Sequence, residues 1–395
     1  MSRLKNLSEQ PWVLGLLVAF PSSGIVHKYT GTFGLLGYLL GVIVIFSVLK
    51  KFGLPFSKWW RKNFKFTAAA VFLAFAACFA VVYPIENSKG PGKSSDRDQG
   101  LNISAGKLMH GENPYYEDEP DAGPLSVLPG SIILASPFVA AGNSAYQNLF
   151  WLAAFVVFAA FLFRDRMLAL TLIAVSLALS PSAMHEFISG GDLMSNGIYV
   201  AVFSILALRA WTSENPKNAW RWVSLILFGM ALASRPNFLF ILPLFGALLW
   251  RETSFGKAIT ASSSVFLAFC AVTLPFYFSD PDGFTPLVAR AKIEIPGIPW
   301  ASVAVIIITA ALTIASSFAL LLRRNDNPTV AFARKCALVI LAPMIAMVIL
   351  RSISSGGLDF EFMRDRFGLM YLPFALIGWR MNFVDGTGKC QSHAA

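Results

Sequence analysis

Apolar runs, one after another, constrain this chain more than any other feature. They fall at about 12–27, 30–49, 65–83, 144–163, 167–184, 193–211, 220–234, 237–250, 258–278, 300–322, 336–352 and 367–379. A helix needs about 20 residues to cross a bilayer, and fewer inside a bundle. Only 14% of the 395 residues are charged and 56% are hydrophobic, whereas a soluble domain carries about 25% charge. The sequence therefore predicts an all-α polytopic membrane protein of about 12 transmembrane helices, in a single domain over 1–380. The run at 237–250 is short for a crossing. The apolar start lacks a small-residue cleavage site and reads as an anchor. The tail 381–395 is polar and reads as cytoplasmic and disordered.

One long polar interval, 85–143, interrupts the pattern. Its first part, 93–116, carries Asp96 and Asp98 on either side of Arg97, then Leu101, Ala105 and Leu108 at helical spacing. Asp98 or Asn102 is placed to cap that short helix, and Gly111 with Asn113-Pro114 ends it. The stretch 124–141 is apolar but broken by Pro129, Gly130 and Pro137, and reads as a re-entrant or interfacial helix.

Charge chooses the sidedness. The net charge of +10 is no nucleic-acid footprint here, because basic residues in membrane proteins mark cytoplasmic loops and anionic headgroups. Lys50, Lys51, Lys58, Arg61, Lys62 and Lys65 make the first such loop. If 124–141 does not cross, the loops with Arg164, Arg209, Arg251, Arg323 and Arg380 fall on the same side, and both termini are cytoplasmic. If it crosses, most of them fall outside. The outer loops are then 85–143, about 185–192, about 235–236, 279–299 and about 353–366. Each carries ionisable groups near a helix end, which at membrane depth is a mark of function. Four cysteines and four histidines are scattered without disulfide or zinc spacing.

Each candidate has a plain alternative. Asp96 and Asp98 are either used chemically or are helix-capping acids on a solvated loop. Asp192 and Asn196, in GGDLMSN at 190–196, either bind hydroxyls or cap the helix from 193. Arg235, Arg364 and Arg366 have the forked donors that suit phosphate; the last two have Asp359, Glu361 and Asp365 as alternative partners. Arg97 either binds substrate or holds the two acids apart. Tyr115 and Tyr116 either stack on a sugar or anchor at the interface.

In this order the motifs resemble the GT-C superfamily of integral-membrane glycosyltransferases. The likeness is to the bacterial polyprenol-phosphate-mannose-dependent mannosyltransferases. That group has a first outer loop opening with an Asp, then a helix ending in Gly and a Pro-Tyr pair; here these are Asp96 or Asp98, Leu101–Met109, Gly111 and Pro114-Tyr115. The Tyr-Pro-Pro that leads the family's interfacial helix is missing; Gly123-Pro124 stands there. The polar motif after the fifth span is matched by 190–196, and the basic residue with Pro by Ser234-Arg235-Pro236. The likeness runs from about 65 to 250, with a weaker echo at 364–376.

The resemblance implies a GT-C helical fold in the bacterial inner (plasma) membrane. It implies transfer of mannose or a similar sugar from a polyprenyl-phosphate donor to a glycan, glycolipid or protein acceptor on the outer face. Polyprenyl phosphate leaves readily, so the acceptor hydroxyl, a poor nucleophile, is what needs a base. One carboxylate supplies that, for about 10²–10⁴-fold, and direct attack inverts the anomeric centre. Asp96 or Asp98 is that base, and a divalent cation shared by the two is a further reading. The rivals are a transporter or flippase of lipid-linked sugars and a non-catalytic membrane assembly subunit.

Overall fold

The computed structural model describes residues 10–52, 57–88, 97–115, 125–213, 218–287, 294–295, 297–322, 327–360, 363 and 367–380. All regular structure among them is helical, with one isolated bridge between Ile295 and Ile298. In chain order the helices are α1 (Pro11–Ala19), α2 (Ser23–Phe52), α3 (Ser57–Lys62), α4 (Phe64–Asn87), α5 (Arg97–Met109), α6 (Pro129–Ala140), α7 (Tyr146–Phe163) and α8 (Arg166–Leu179). Then follow α9 (Pro181–Ile188), α10 (Leu193–Thr212), α11 (Asn218–Leu232), α12 (Ile241–Glu252), α13 (Phe255–Ser279), α14 (Ala301–Leu322), α15 (Pro328–Ser355) and α16 (Leu372–Gly378).

Seven helical stretches among the described residues are long and apolar enough to cross a membrane, or eight if α8 and α9 count as one span. That makes the chain a multi-pass membrane protein. The expected number, about 12, is not reached by this measure among the described residues, and the reasons are local. The runs at 12–27 and 30–49 form one apolar stretch, Pro11–Lys51. It breaks at Gly31, whose φ of 65° lies in the left-handed region, and folds back on itself. Gly15 makes this possible: a Cβ there would lie 3.1 Å from Ile43 Cα. The run at 167–184 bends by 95° between α8 and α9, at Ser180-Pro181. Ser180 and Ser22 side chains bond the N–H groups of Ala183 and Ser182 and so cap the second half. The runs at 220–234, 237–250 and 367–379 yield helices of 15, 12 and 7 residues.

The centre of the bundle is α10, with 83% of its apolar window buried, while α4 is 6% buried. An apolar helix left bare on the surface, as at Leu73, is stable only in contact with lipid.

The loops sort into two ends. At one end Arg61 pairs with Asp165 at 3.1 Å, Arg251 donates to Leu320 O at 3.0 Å, and Arg334 donates to Gly378 O at 2.6 Å. Arg209 lies over the Phe161 ring and Arg380 over that of Phe163. At the opposite end Asn143 bonds Tyr83, Asp192 pairs with Arg235, and Thr285 bonds Leu125 O. Helix α6 begins and ends there: Gly130 N–H donates to Ala233 O at 2.7 Å, and the segment after it is held by Asn143 against Tyr83 at the end of α4. The end of α4 and the start of α7 thus lie together, and between them the described residues form only the 12-residue α6, shorter than a crossing needs.

Candidate functional site

Arg97, Asp98 and Asn102 all lie within helix α5 as described, Arg97–Met109, so neither Asp98 nor Asn102 caps it from outside. Asp98 sits in the first turn, where the helix dipole favours a carboxylate. It is 1% exposed. Tyr83 donates to its Oδ2 at 2.5 Å. The phenol itself accepts from Asn143 Nδ2 at 2.7 Å, which directs its single proton to Asp98. Ser144 completes the holder: its Oγ donates to Asp98 O at 3.1 Å, and its N–H donates to Asn102 Oδ1 at 2.7 Å. Asn102 is therefore a strut between α5 and the start of α7.

The 189–192 turn closes over this carboxylate from the other side. Gly190 has φ 77°, and a Cβ there would stand 2.8 Å from the Tyr83 ring and 3.1 Å from Asp98 Cβ. Only glycine combines that dihedral with that approach. Gly191 lies against the carboxylate of the fully buried Glu186, whose Oε1 accepts Leu193 N–H at 2.8 Å. Glu186, not Asp192, thus satisfies the first turn of α10.

Asp192 is engaged elsewhere. Arg235 Nη2 donates to its two oxygens at 2.9 and 2.6 Å, in a pair with side chains 8% and 1% exposed. Asn196 Nδ2 donates to Asp192 Oδ2 at 2.8 Å, and Tyr199 donates to Asn196 Oδ1 at 2.6 Å. Arg235 Nη1 reaches Ser126 Oγ at 3.5 Å, and its Nε has no hydrogen-bond partner among the described residues. Arg235 thus keeps donor capacity beyond its ion pair.

The structure brings together Asp98, Asp192, Asn196 and Arg235. From Gly190, which touches Asp98, to Asp192 is two residues, at most about 7 Å of chain. Tyr115 lies apart, in a small apolar cluster with Leu125, Leu128 and Phe284. Its hydroxyl donates to Val127 O at 3.2 Å, its ring meets Phe284 at 4.9 Å, and burial pushes its phenol above the ordinary range. Asp96, Tyr116, Arg364 and Arg366 lie outside the described residues, as does the side chain of Arg97. Arg351 pairs with Asp359 at 3.2 Å. Among the described residues no three His, Cys, Asp or Glu side chains converge as a metal site.

Tyr83 and Asn143, both half-buried, and the buried Asn148 and Glu186 make bonds at the same end of the bundle and carried no motif. Asn148 joins α7 to α10 by accepting from Ser195 Oγ at 2.7 Å. The available signal was a polar residue in or beside an apolar run, which needs a partner when buried.

No family profile, no curated protein and no solved structure matches this chain.

Proposed function

We propose that this multi-pass protein is a glycosyltransferase of GT-C type. It moves a mannose-like sugar from a polyprenyl-phosphate donor to an acceptor hydroxyl on the outer face of a bacterial plasma membrane. The observation that carries the reading is a held carboxylate, Asp98, against Gly190, two residues from the Asp192 that fixes a buried guanidinium with donors to spare, Arg235, at the end of the bundle opposite the basic loops. Those are the two groups the chemistry asks for.

In this reaction the acceptor oxygen bonds the anomeric carbon, and the bond from that carbon to the phosphate oxygen breaks. The hydroxyl proton passes to Asp98, or to Asp96 if that is the nearer acid. The leaving phosphate gains a negative charge as it departs. A cation already in place stabilises that developing charge more than it stabilises the bound donor, which is what lowers the barrier. Arg235 is suited to this because its pairing with Asp192 fixes the guanidinium before substrate arrives. Arg364 and Arg366 are further candidates for the phosphate. Asp192 and Asn196 orient the guanidinium in this reading.

The test is transfer by the purified protein from radiolabelled polyprenyl-phosphate sugars to a lipid or glycan acceptor, with Asp96→Asn and Asp98→Asn alongside. Wild type transfers; the variant lacking the base loses on the order of 10²-fold or more while its melting temperature stays near wild type. Movement of labelled donor across vesicles without transfer makes the chain a transporter instead. Full activity in both variants and the double variant removes the loop acids from the chemistry.

A further inference from the structure

Gln147, in the first turn of α7, is 1% exposed, and neither its Nε2 nor its Oε1 has a hydrogen-bond partner among the described residues. Trp151 Nε1, one turn further on, is buried in the same condition. Four-residue spacing puts the amide and the indole N–H on one face of the helix. That face meets α10, since the Trp151 ring lies 5.3 Å from Tyr199 and 5.8 Å from Phe203. An amide buried with neither group bonded destabilises a fold, and a leucine of similar volume would not. Such atoms are satisfied in a folded protein by an ordered water or by a bound group that supplies both a donor and an acceptor.

Position says which partner. Ser144, one turn before Gln147, bonds the backbone of Asp98. Tyr199, beside Trp151, leads through Asn196 and Asp192 to Arg235. Short bonded paths therefore tie the ends of this face to the backbone of Asp98 and to Arg235. We propose that Gln147 and Trp151 hold the sugar ring of the donor, an inference that rests on the glycosyltransferase reading. A sugar hydroxyl both donates and accepts, so it can take the Nε1–H or Nε2–H and give to Oε1. A phosphate only accepts and would leave Oε1 unbonded. A metal ion would find one oxygen among N–H donors. A hydrocarbon chain would satisfy none of the three atoms. The proposal requires that a donor with its phosphate on Arg235 place its sugar against this face.

The experiment compares binding of polyprenyl-phosphate mannose, glucose and arabinose with binding of bare polyprenyl phosphate, for wild type and Gln147→Leu. Wild type should bind one of the sugar-bearing lipids more tightly than the bare phosphate. Gln147→Leu should lose that preference, by on the order of tenfold, while bare phosphate binds as before and the ligand-free melting temperature is unchanged or higher. Trp151→Phe keeps the ring contacts and removes the N–H; it should show the same loss and carries the test if Gln147→Leu fails to fold. A preference that survives both substitutions overturns the proposal and leaves the transferase reading standing. So does a wild type that binds sugar-bearing and bare lipids alike. A wild type that binds none of these lipids and transfers no sugar defeats both.

Discussion

Replacing Arg235 by Ala tests whether the ion pair with Asp192 is structural as well as catalytic. The pair is almost fully enclosed, at 8% and 1% side-chain exposure, with Arg235 Nη2 2.6 and 2.9 Å from the two carboxylate oxygens. Removing one member of such a pair strands the other charge, at about 3–5 kcal/mol. Asp192 would keep the bond from Asn196, so the low end applies, about 3 kcal/mol. Asp192→Asn should cost a similar amount, because the guanidinium then lacks a counter-charge. The double variant Asp192→Asn with Arg235→Met strands neither charge and should fall short of the sum, by about 2–3 kcal/mol of coupling. The assay is reversible unfolding in mixed micelles with increasing dodecyl sulfate, followed by the fluorescence of the ten tryptophans. Additive single effects, or Arg235→Ala within about 0.5 kcal/mol of wild type, would refute the reasoning. A loss of donor binding in Arg235→Ala is interpretable only at temperatures where that variant is folded. Arg235→Lys keeps the charge and removes the fork, and so separates phosphate recognition from stability.

Tyr83→Phe removes the donor that holds Asp98 Oδ2 and should lower the rate of transfer while the melting temperature stays near wild type. Gly190→Ala combines a φ of 77° with contacts near 3 Å to Tyr83, Ala145 and Asp98 and should cost about 1–3 kcal/mol. Gly106→Ala, in the interior of α5 with open space around it, should stabilise by about 0.5–1 kcal/mol and serves as the control. With the four native cysteines changed to serine, an impermeant maleimide added outside cells should label Asp282→Cys and spare Arg164→Cys; labelling at 164 alone would reverse the sidedness.

The sorting of loops into two ends was legible because arginine and lysine counts respond to where a loop sits and not to how the helices pack. The same count is what set 124–141 aside from the crossings. Breaks inside apolar runs were harder to read. Hydropathy averages over a window, and Ser180-Pro181 or Gly31 changes the direction of the chain while hardly changing the average. Ser-Pro is a turn signal, and it marks the 95° bend. The Asp192–Arg235 pair joins residues from two motifs that were read as separate ligands, since no local pattern links positions 43 apart. Glu186 is only one of the ionisable groups that the outer loops carry near helix ends; that it caps α10 depends on the 189–192 turn folding back. Gln147 left no trace, because one glutamine at the start of an apolar helix looks like an interfacial residue until its neighbours close over it.

The bonds that seat α6 have a consequence for biogenesis. Leu128 N–H and Gly130 N–H are satisfied by the carbonyls of Ser234 and Ala233. Those acceptors are made roughly 100 residues later, which at ribosomal rates is on the order of 5–20 s. During that interval three further membrane helices are threaded while α6 has no seat. A short apolar helix with exposed N–H groups cannot wait in the hydrocarbon layer. It must wait at the interface or beside the insertion machinery, and enter the bundle only after α11 has arrived. The end of the protein that holds Asp98 is therefore assembled late, and nascent chains arrested before residue 234 should remain open to protease at 125–140 even with α7 through α10 already in the membrane.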